Sequence, residues 1–574
     1  MHLRQRSETH SERTRSEHMP VEQIPWWQRA TIYQVYPRSF QDTDGDGVGD
    51  LRGIISRLPY FAELGVDAIW LSPIFRSPMK DFGYDVSNYV DVDPLFGTMG
   101  DFDTLLEAAH KQSLRLLLDF VPNHTSDQHP WFMQSRSSRR NPKRDWYLWR
   151  DPAPDGGPPN NWLSEFGGSA WQFDNATGQY YYHAFLSSQP DLNWRTPEVV
   201  NTLHDVMRFW LRKGVNGFRV DVIWHLIKDA QFRDNPANPD YTADQPPNQK
   251  LVPLYTTDLP EVHDVIRGLR KIVDEFPERL LIGEIYLPLD RLVAYYGSDL
   301  RETHLPFNFS LLKTRWHARE IATLIDSYEA ALPDGGWPNW VLGNHDRPRI
   351  AARIGLAQAR VAAILLLTLR GTPTLYYGDE IGLAQVPIQP DRIRDPLGKN
   401  VIGLKLGRDG ARTPMQWNAE PHAGFSQSEP WLPLTEDWTA RNVETLRKDD
   451  TSMYNLYRRL IEARRRSEAL KRGSYHLISA EGDVLLYVRA LGSERMLIIL
   501  NLGATPVAFV STPPKGIVLV STSGEREGEL IDLNVQLGAN EGLIIKLAPE
   551  VDLSSIEPGF QNPMSPPVIH ANNP

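Results

Sequence analysis

Between residues 31 and 380 the apolar and polar positions follow one repeating order. Short runs rich in β-branched and aromatic residues recur, and most are followed by a longer stretch with the 3.6-residue period of an amphipathic helix. The strand-like runs are 31–36, 67–72, 115–121, 217–222, 280–286, 304–309, 340–346 and 371–378. Helical stretches fall at 101–112, 197–214, 260–276 and 357–369. The second opens on Pro197 and closes on Gly214, residues favoured at a helix start and just past its end. Eight such units predict an α/β fold, a parallel (β/α)8 TIM barrel. A doubly wound sheet usually needs fewer units.

The order breaks from 123 to 194, a stretch rich in Trp, Gly, Pro and Asn after the third strand. A structureless loop of that size is disfavoured in a compact chain, so an inserted subdomain is expected there. Past the last strong helix, 454–465, short alternating runs at 484–489, 496–500, 517–521 and 542–547 predict an antiparallel β-sandwich. The expected organisation is a disordered tail (1–24), a barrel (25–124 and 195–472), an insert (125–194), a C-terminal sandwich (473–549) and an irregular tail (550–574). At 574 residues the chain is too long for a single core.

Charge and composition narrow the partners. A net charge of −11, from 61 basic and 72 acidic residues, argues against nucleic acid or an anionic membrane surface. Cysteine is absent, which excludes disulfides, thiolate nucleophiles and Cys-ligated metals and fits a reducing compartment. The first 18 residues carry charges of both signs and no apolar run, unlike a secretory signal, so a cytoplasmic location is expected. The longest apolar stretch, 361–369, ends at Arg370 and is read as too short to span a bilayer.

The chemistry is at the strand ends. Asp119 closes the third run, Arg219 and Asp221 lie on the fourth, Glu284 ends the fifth, and His345 and Asp346 end the seventh. A TIM barrel builds its site at the C-terminal ends of its strands, and burying several carboxylates there is costly without a purpose. Neighbouring strands lie about 4.8 Å apart, so carboxyls from the fourth and fifth can approach the ~5–5.5 Å spacing of a retaining glycosidase. One carboxylate attacks the anomeric carbon; the other protonates the leaving oxygen and then activates water. Arg219, two residues before Asp221, faces the same side and favours the ionised nucleophile. A separate loop, 42–50, spaces four carboxylates (Asp42, Asp44, Asp46, Asp50) among glycines. Hard oxygen ligands at that spacing suit Ca²⁺ or Mg²⁺. It is not an EF-hand, because Gly53 stands where the bidentate Glu would be.

The runs DFVPNH (119–124), GFRVDV (217–222), GEIY (283–286) and GNHD (343–346) resemble the four core motifs of the α-amylase family, glycoside hydrolase family thirteen. IYQVYPRSF (32–40), QPDLNW (189–194), GTPTLYYGDEIG (371–382) and RTPMQW (412–417) extend the resemblance over about 25–548. QPDLN is similar to the branch of α-glucosidases and oligo-1,6-glucosidases. The resemblance implies an exo-acting, retaining α-glucosidase that releases α-glucose from short α-glucosides through a covalent glucosyl-enzyme, with transglucosylation. It makes Asp221 the nucleophile, Glu284 the acid/base and Asp346 the transition-state stabiliser. Asp119, His124, Arg219 and His345 line the glucose pocket, and Tyr84 stacks under the terminal sugar. Asp81 pairs with Arg412 and closes the pocket behind that ring; Phe166 and Phe185 flank the substrate. A structural cation is held by Asp42, Asp44, Asp46, the Val48 carbonyl and Asp50, with no organic cofactor. Val222 resembles the oligo-1,6-glucosidases, whereas Trp224 and His225 depart from the family continuation, so linkage stays open, as does oligomeric state. The Pro/Asn-rich segment 229–259 is expected to overhang the leaving-group side. Two alternatives stand beside hydrolysis: rearrangement of the trehalose synthase or sucrose isomerase kind, and a non-catalytic sugar-binding or transport-accessory protein.

Overall fold

The computed structural model describes residues 24–401, 403–404, 406–510, 515–531, 534–549 and 559–561. Each of the eight predicted strands is present: β1 Ile32–Val35, β2 Ala68–Leu71, β3 Arg115–Phe120, β4 Gly217–Val220, β5 Leu280–Gly283, β6 Leu305–Pro306, β7 Asn339–Val341 and β8 Thr372–Tyr376. From β1 to β6 each strand pairs in parallel with the next, and β7 pairs with β8 and β8 with β1. A parallel bridge between Asn308 and Trp340 closes the ring between β6 and β7.

Strand alternation sorts the side chains into two layers. Ile32, Ala68, Trp70, Leu117, Leu280, Ile282 and Leu305 belong to an inner cluster. Tyr33, Val35, Ile69, Leu71, Leu116, Leu118 and Leu281 belong to the outer cluster shared with the helices. Followed toward the C-terminal strand ends, the inner positions become charged: Asp119 comes two residues after Leu117, and Glu284 two after Ile282. On β4 the corresponding positions are Gly217 and Arg219. Gly217 has φ +149°, and a Cβ there would lie 2.0 Å from the Leu280 carbonyl oxygen, so only glycine fits.

The surrounding helices end where their sequence says they should. Met99–Lys111 begins with a reciprocal Thr98/Asp101 capping box, and Pro197–Lys213 stops at Gly214 in the left-handed region. The apolar stretch 361–369 lies largely within Ile350–Thr368, whose length and composition alone would let a helix cross a membrane, but Gly355 (φ +80°) breaks the helical path near its start. In this fold its residues 361–367 are buried, and it packs on helix Met453–Arg466 and on strands Glu494–Asn501 and Gly542–Leu547.

Within 125–194 a three-stranded antiparallel sheet (Trp149–Arg150, Gln179–Tyr182, Trp171–Asp174) packs its own aromatic cluster of Trp162, Trp171 and Tyr182. The C-terminal region holds a six-stranded antiparallel sheet from Ser474–Glu481 to Leu530–Ile531 and a second sheet of three strands. One strand of the latter, Gly559–Gln561, pairs with Val507–Val510 and lies inside the tail read as irregular at 550–574. Its three residues are too few to show a period of two in the sequence. Residues 1–23 and the rest of that tail lie outside the described residues.

Candidate active site

Arg219, fully buried, sits between three carboxylates at the mouth of the barrel. Its Nη1 is 2.8 Å from Asp119 and 2.7 Å from Asp221, and its Nη2 is 2.8 Å from Glu284. The sheet register explains this: Arg219 is directly opposite Asp119 on β3 and Ile282 on β5, two residues before Glu284. Val222, immediately after Asp221, takes φ +37°, a strained conformation for a β-branched residue. Its N–H donates to Glu284 Oε2 at 3.0 Å, so the strained turn anchors the carboxyl of the neighbouring strand.

One cation cannot neutralise three acids. Burial pushes Asp119 up to about 6 despite its pairing with Arg219. Burial likewise pushes Asp221 upward; Arg219 opposes this, while Glu284 and Asp119 add to it. The cluster therefore holds a proton more readily than isolated carboxylates would. Asp346 is the opposite case. Burial raises its carboxyl, but the facing His345, Arg408, Arg412 and Arg219 outweigh it and hold Asp346 far below the ordinary range. It touches Arg412 at 2.8 Å and Arg408 at 3.2 Å.

A chain of hydrogen bonds sets the floor of the site. Gln34 on β1 donates its amide N–H to His345 Nδ1 at 2.8 Å, which leaves the ring proton on Nε2. That proton points at the Tyr84 hydroxyl, 2.8 Å away, and Tyr84 in turn donates to Asp119 at 3.0 Å. The Tyr84 and His345 rings stack with centroids 5.5 Å apart. Burial lowers His345 to about 3, so the ring is neutral, as this chain of donors requires.

The expected closure of the pocket by Asp81 and Arg412 is corrected by the structure. Asp81 pairs with Arg408 at 2.9 Å, and Arg408 also holds Asp395 at 2.7 Å. Arg412, four residues on, donates instead to the His345 carbonyl and to Asp346, both at 2.8 Å. The turn Asp409–Ala411 separates the two arginines and directs them to different partners. Arg408 carries no motif, and sequence reasoning missed it.

Asp81, Tyr84, His124, Phe166, Phe185, Asp221, Glu284, His345, Asp346 and Arg408 line one cavity of about 460 Å³, within the ~300–1,000 Å³ usual for small-molecule sites. Asp119, Arg219 and Arg412 stand behind this lining as buried supports. Phe166 and Phe185 meet edge to face at 5.7 Å, and Phe185 leans on His124 at 5.1 Å. Segment 229–259 contributes Asn235, Asn248, Gln249, Leu251 and Pro253 to the wall. A further contact that the sequence did not suggest ties the insert to the barrel: the Lys228 ammonium pairs with Asp191 and donates to Asn123 at 2.7 Å.

In the 42–50 loop, carboxylate oxygens of Asp42, Asp44 and Asp50 lie within 4.8 Å of one another. Asp46 stands outside this trio and accepts the Val48 N–H at 2.7 Å. None of the three makes an ion pair with Lys or Arg among the described residues. Partial desolvation and the neighbouring Asp46, Asp42 and Asp50 push the Asp44 carboxyl up. The donor set suits a hard divalent cation.

A (β/α)8 barrel with acids at its strand ends, two of them close together on one guanidinium beside a cavity, suits a carbohydrate-cleaving or carbohydrate-transferring enzyme. The chain belongs to the α-amylase family: residues 34–473 match the model of the α-amylase catalytic domain. A Rhizobium meliloti (strain 1021) protein named "Probable alpha-glucosidase" is 43% identical over 538 residues, 91% of this chain and 97% of that protein. A solved α-glucosyl transfer enzyme superposes with a TM-score of 0.87 at 40% identity, covering 92% of this chain and 100% of that one. The trehalulose synthase of Pseudomonas mesoacidophila MX-45 does so with a TM-score of 0.83 at 36% identity, over 92% and 100%.

Proposed function

We infer that the chain is an α-glucosidase that is exo-acting and retaining, and that takes α-glucose from the non-reducing end of short α-glucosides. The observation that carries this is Arg219 gripping Asp221 and Glu284 beside a cavity that the paired Asp81 and Arg408 also line, a pair we read as closing its back. Two carboxyls on one guanidinium fit the close ~5–5.5 Å spacing of retaining enzymes better than the wider gap that an attacking water needs. A closed back admits one terminal ring and no continuing chain.

Asp221 attacks the anomeric carbon, and a bond forms between its oxygen and C1. As the glycosidic C1–O bond breaks, Glu284 gives its proton to the departing oxygen. In the second half Glu284 takes a proton from water, whose oxygen attacks C1 and releases Asp221. Asp346, held ionised by its arginines, faces the positive charge that grows on the sugar ring and grips its hydroxyls. Tyr84 supplies a ring face beneath the glucose. Asp42, Asp44 and Asp50, with Asp46 and Val48 alongside, would hold a structural Ca²⁺ or Mg²⁺, which would stiffen the loop after β1.

A glucosyl-enzyme can be intercepted by a sugar hydroxyl in place of water. The solved relatives named for glucosyl transfer and trehalulose synthesis favour that second outcome as a competing route. The test is incubation with maltose, isomaltose, sucrose, trehalose and soluble starch, with NMR of the first-formed products. Initial α-glucose from a disaccharide, absent with Asp221→Asn, is the expected result. Initial β-glucose from sucrose or trehalose, whose leaving group brings no β-glucose of its own, would overturn retention; internal cleavage of starch would overturn the exo mode, and rearranged disaccharide with little glucose would make transfer the main reaction.

A further inference from the structure

We propose that Glu165 is a ligand for the hydroxyl groups of the leaving-group sugar, and so a specificity residue of the acceptor half of the pocket. This rests on the α-glucosidase reading above.

Glu165 lies in the insert beside Phe166, and both line the cavity. The Phe166 ring is 5.1 Å from the Arg408 guanidinium, which places it near the sealed back. Glu165 instead reaches segment 229–259, where it accepts the Asn248 amide N–H at 2.6 Å. This contact crosses from the insert to the segment over the entrance. That segment is at the protein surface: Val252 and Leu254 are 40% and 53% exposed. Glu165 and Asn248 are themselves only partly buried, so we place the carboxyl on the side of the cavity that the second sugar would occupy.

Its carboxyl has acceptor capacity to spare. A carboxylate offers about four acceptor positions. Asn248 fills one, and among the described residues Glu165 makes no ion pair with Lys or Arg. Burial is the sole cause raising its carboxyl, to about 7. A half-buried acid without a counter-cation costs stability unless something else donates to it. Vicinal hydroxyls of a sugar are such donors, and they suit a carboxylate two at a time. The other side chains on that stretch of wall are neutral hydrogen-bonding or apolar groups, Gln249, Thr256, Thr257 and Leu251. They leave Glu165 as the strongest hydroxyl acceptor of the acceptor half. A planar aryl aglycone has no hydroxyls to offer it.

The experiment compares kcat/KM for the preferred disaccharide and for p-nitrophenyl α-glucoside in the full-length protein and in Glu165→Leu and Glu165→Gln. The expected result is a loss of roughly tenfold on the disaccharide in Glu165→Leu, with p-nitrophenyl glucoside changed less than about twofold. Glu165→Gln, which can still meet Asn248, should fall between. Linkages formed when glucose is the acceptor should shift in Glu165→Leu. Equal loss on both substrates, or no loss on either, would overturn the proposal. Retained aryl-glucoside turnover shows that a variant is folded. A wild type that cleaves neither substrate would instead sink the α-glucosidase reading itself.

Discussion

Arg219 is asked to neutralise Asp119, Asp221 and Glu284 together, and the shortfall has a stability cost. The folded value of Asp119, about 6, is raised above its ordinary 3.8. Its contribution is therefore fully present below the ordinary value and is lost as pH rises through about 6, so near neutrality the group costs on the order of 3 kcal/mol. Asp119→Asn should melt no lower than wild type at pH 7, show a flatter dependence of Tm on pH between 4 and 7, and still lose at least ~10²-fold in turnover. A clear fall in Tm at pH 7 would show that its pairing with Arg219 outweighs its burial. Glu284→Gln separates the other role. Read in kcat/KM, which reports the first half of the reaction, it should slow disaccharides by about 10²–10⁴-fold and a p-nitrophenyl glucoside much less, because that leaving group needs little protonation; kcat falls for both, since both glucosyl-enzymes need Glu284 as base. Comparable losses in kcat/KM on both would remove Glu284 from the acid position.

At the scale of elements, the loop after β1 is where a cation should register. If Asp42, Asp44 and Asp50 hold one, EDTA should lower Tm by several degrees, and added Ca²⁺ or Mg²⁺ should restore it while kcat at room temperature stays nearly constant. An unchanged Tm in both treatments would leave the loop as a turn of acids and glycines. The elements also show which parts of the molecule were readable in advance. All eight strands and the main helices announce themselves through period, Pro and Gly, because burial on two faces or one forces those patterns. The acids at the strand ends were readable because a charge closing an apolar run is costly to bury and stands out against its neighbours. Arg408, Lys228, Gln34 and Glu165 were not. Arg408 and Glu165 lie in irregular segments whose path no period encodes, and Gln34 is one polar residue in an apolar strand. The Asp81–Arg412 pairing failed for the same reason: a single short turn, Asp409–Ala411, decides which of two arginines reaches across.

Over the whole molecule, barrel and C-terminal sheet share a seam built on two buried arginines. Arg464 donates to the carbonyls of Leu367, Leu369, Leu470 and Gly371. Arg489 donates to those of Thr368 and Gly473. No carboxylate faces either among the ion pairs of the described residues. Arg464→Met fills the volume and leaves those carbonyls without donors, so it should cost on the order of 3 kcal/mol. Because helix Ile350–Thr368 packs against both parts, the loss should appear as an earlier single transition. Two separated transitions in calorimetry would mean that the parts melt independently.

A closed back to the pocket would also fix an order of traffic. If Asp81 and Arg408 shut one end, whatever was joined to the glucose must depart before the glucose can. The ring that entered first leaves last, by the same door. Free glucose and intact substrate then contend for one vacancy, so initial-rate plots with added glucose should intersect on the 1/v axis, raising KM and leaving kcat alone. Such an enzyme slows as its own product gathers, and its pace is set by whatever removes glucose from its doorway.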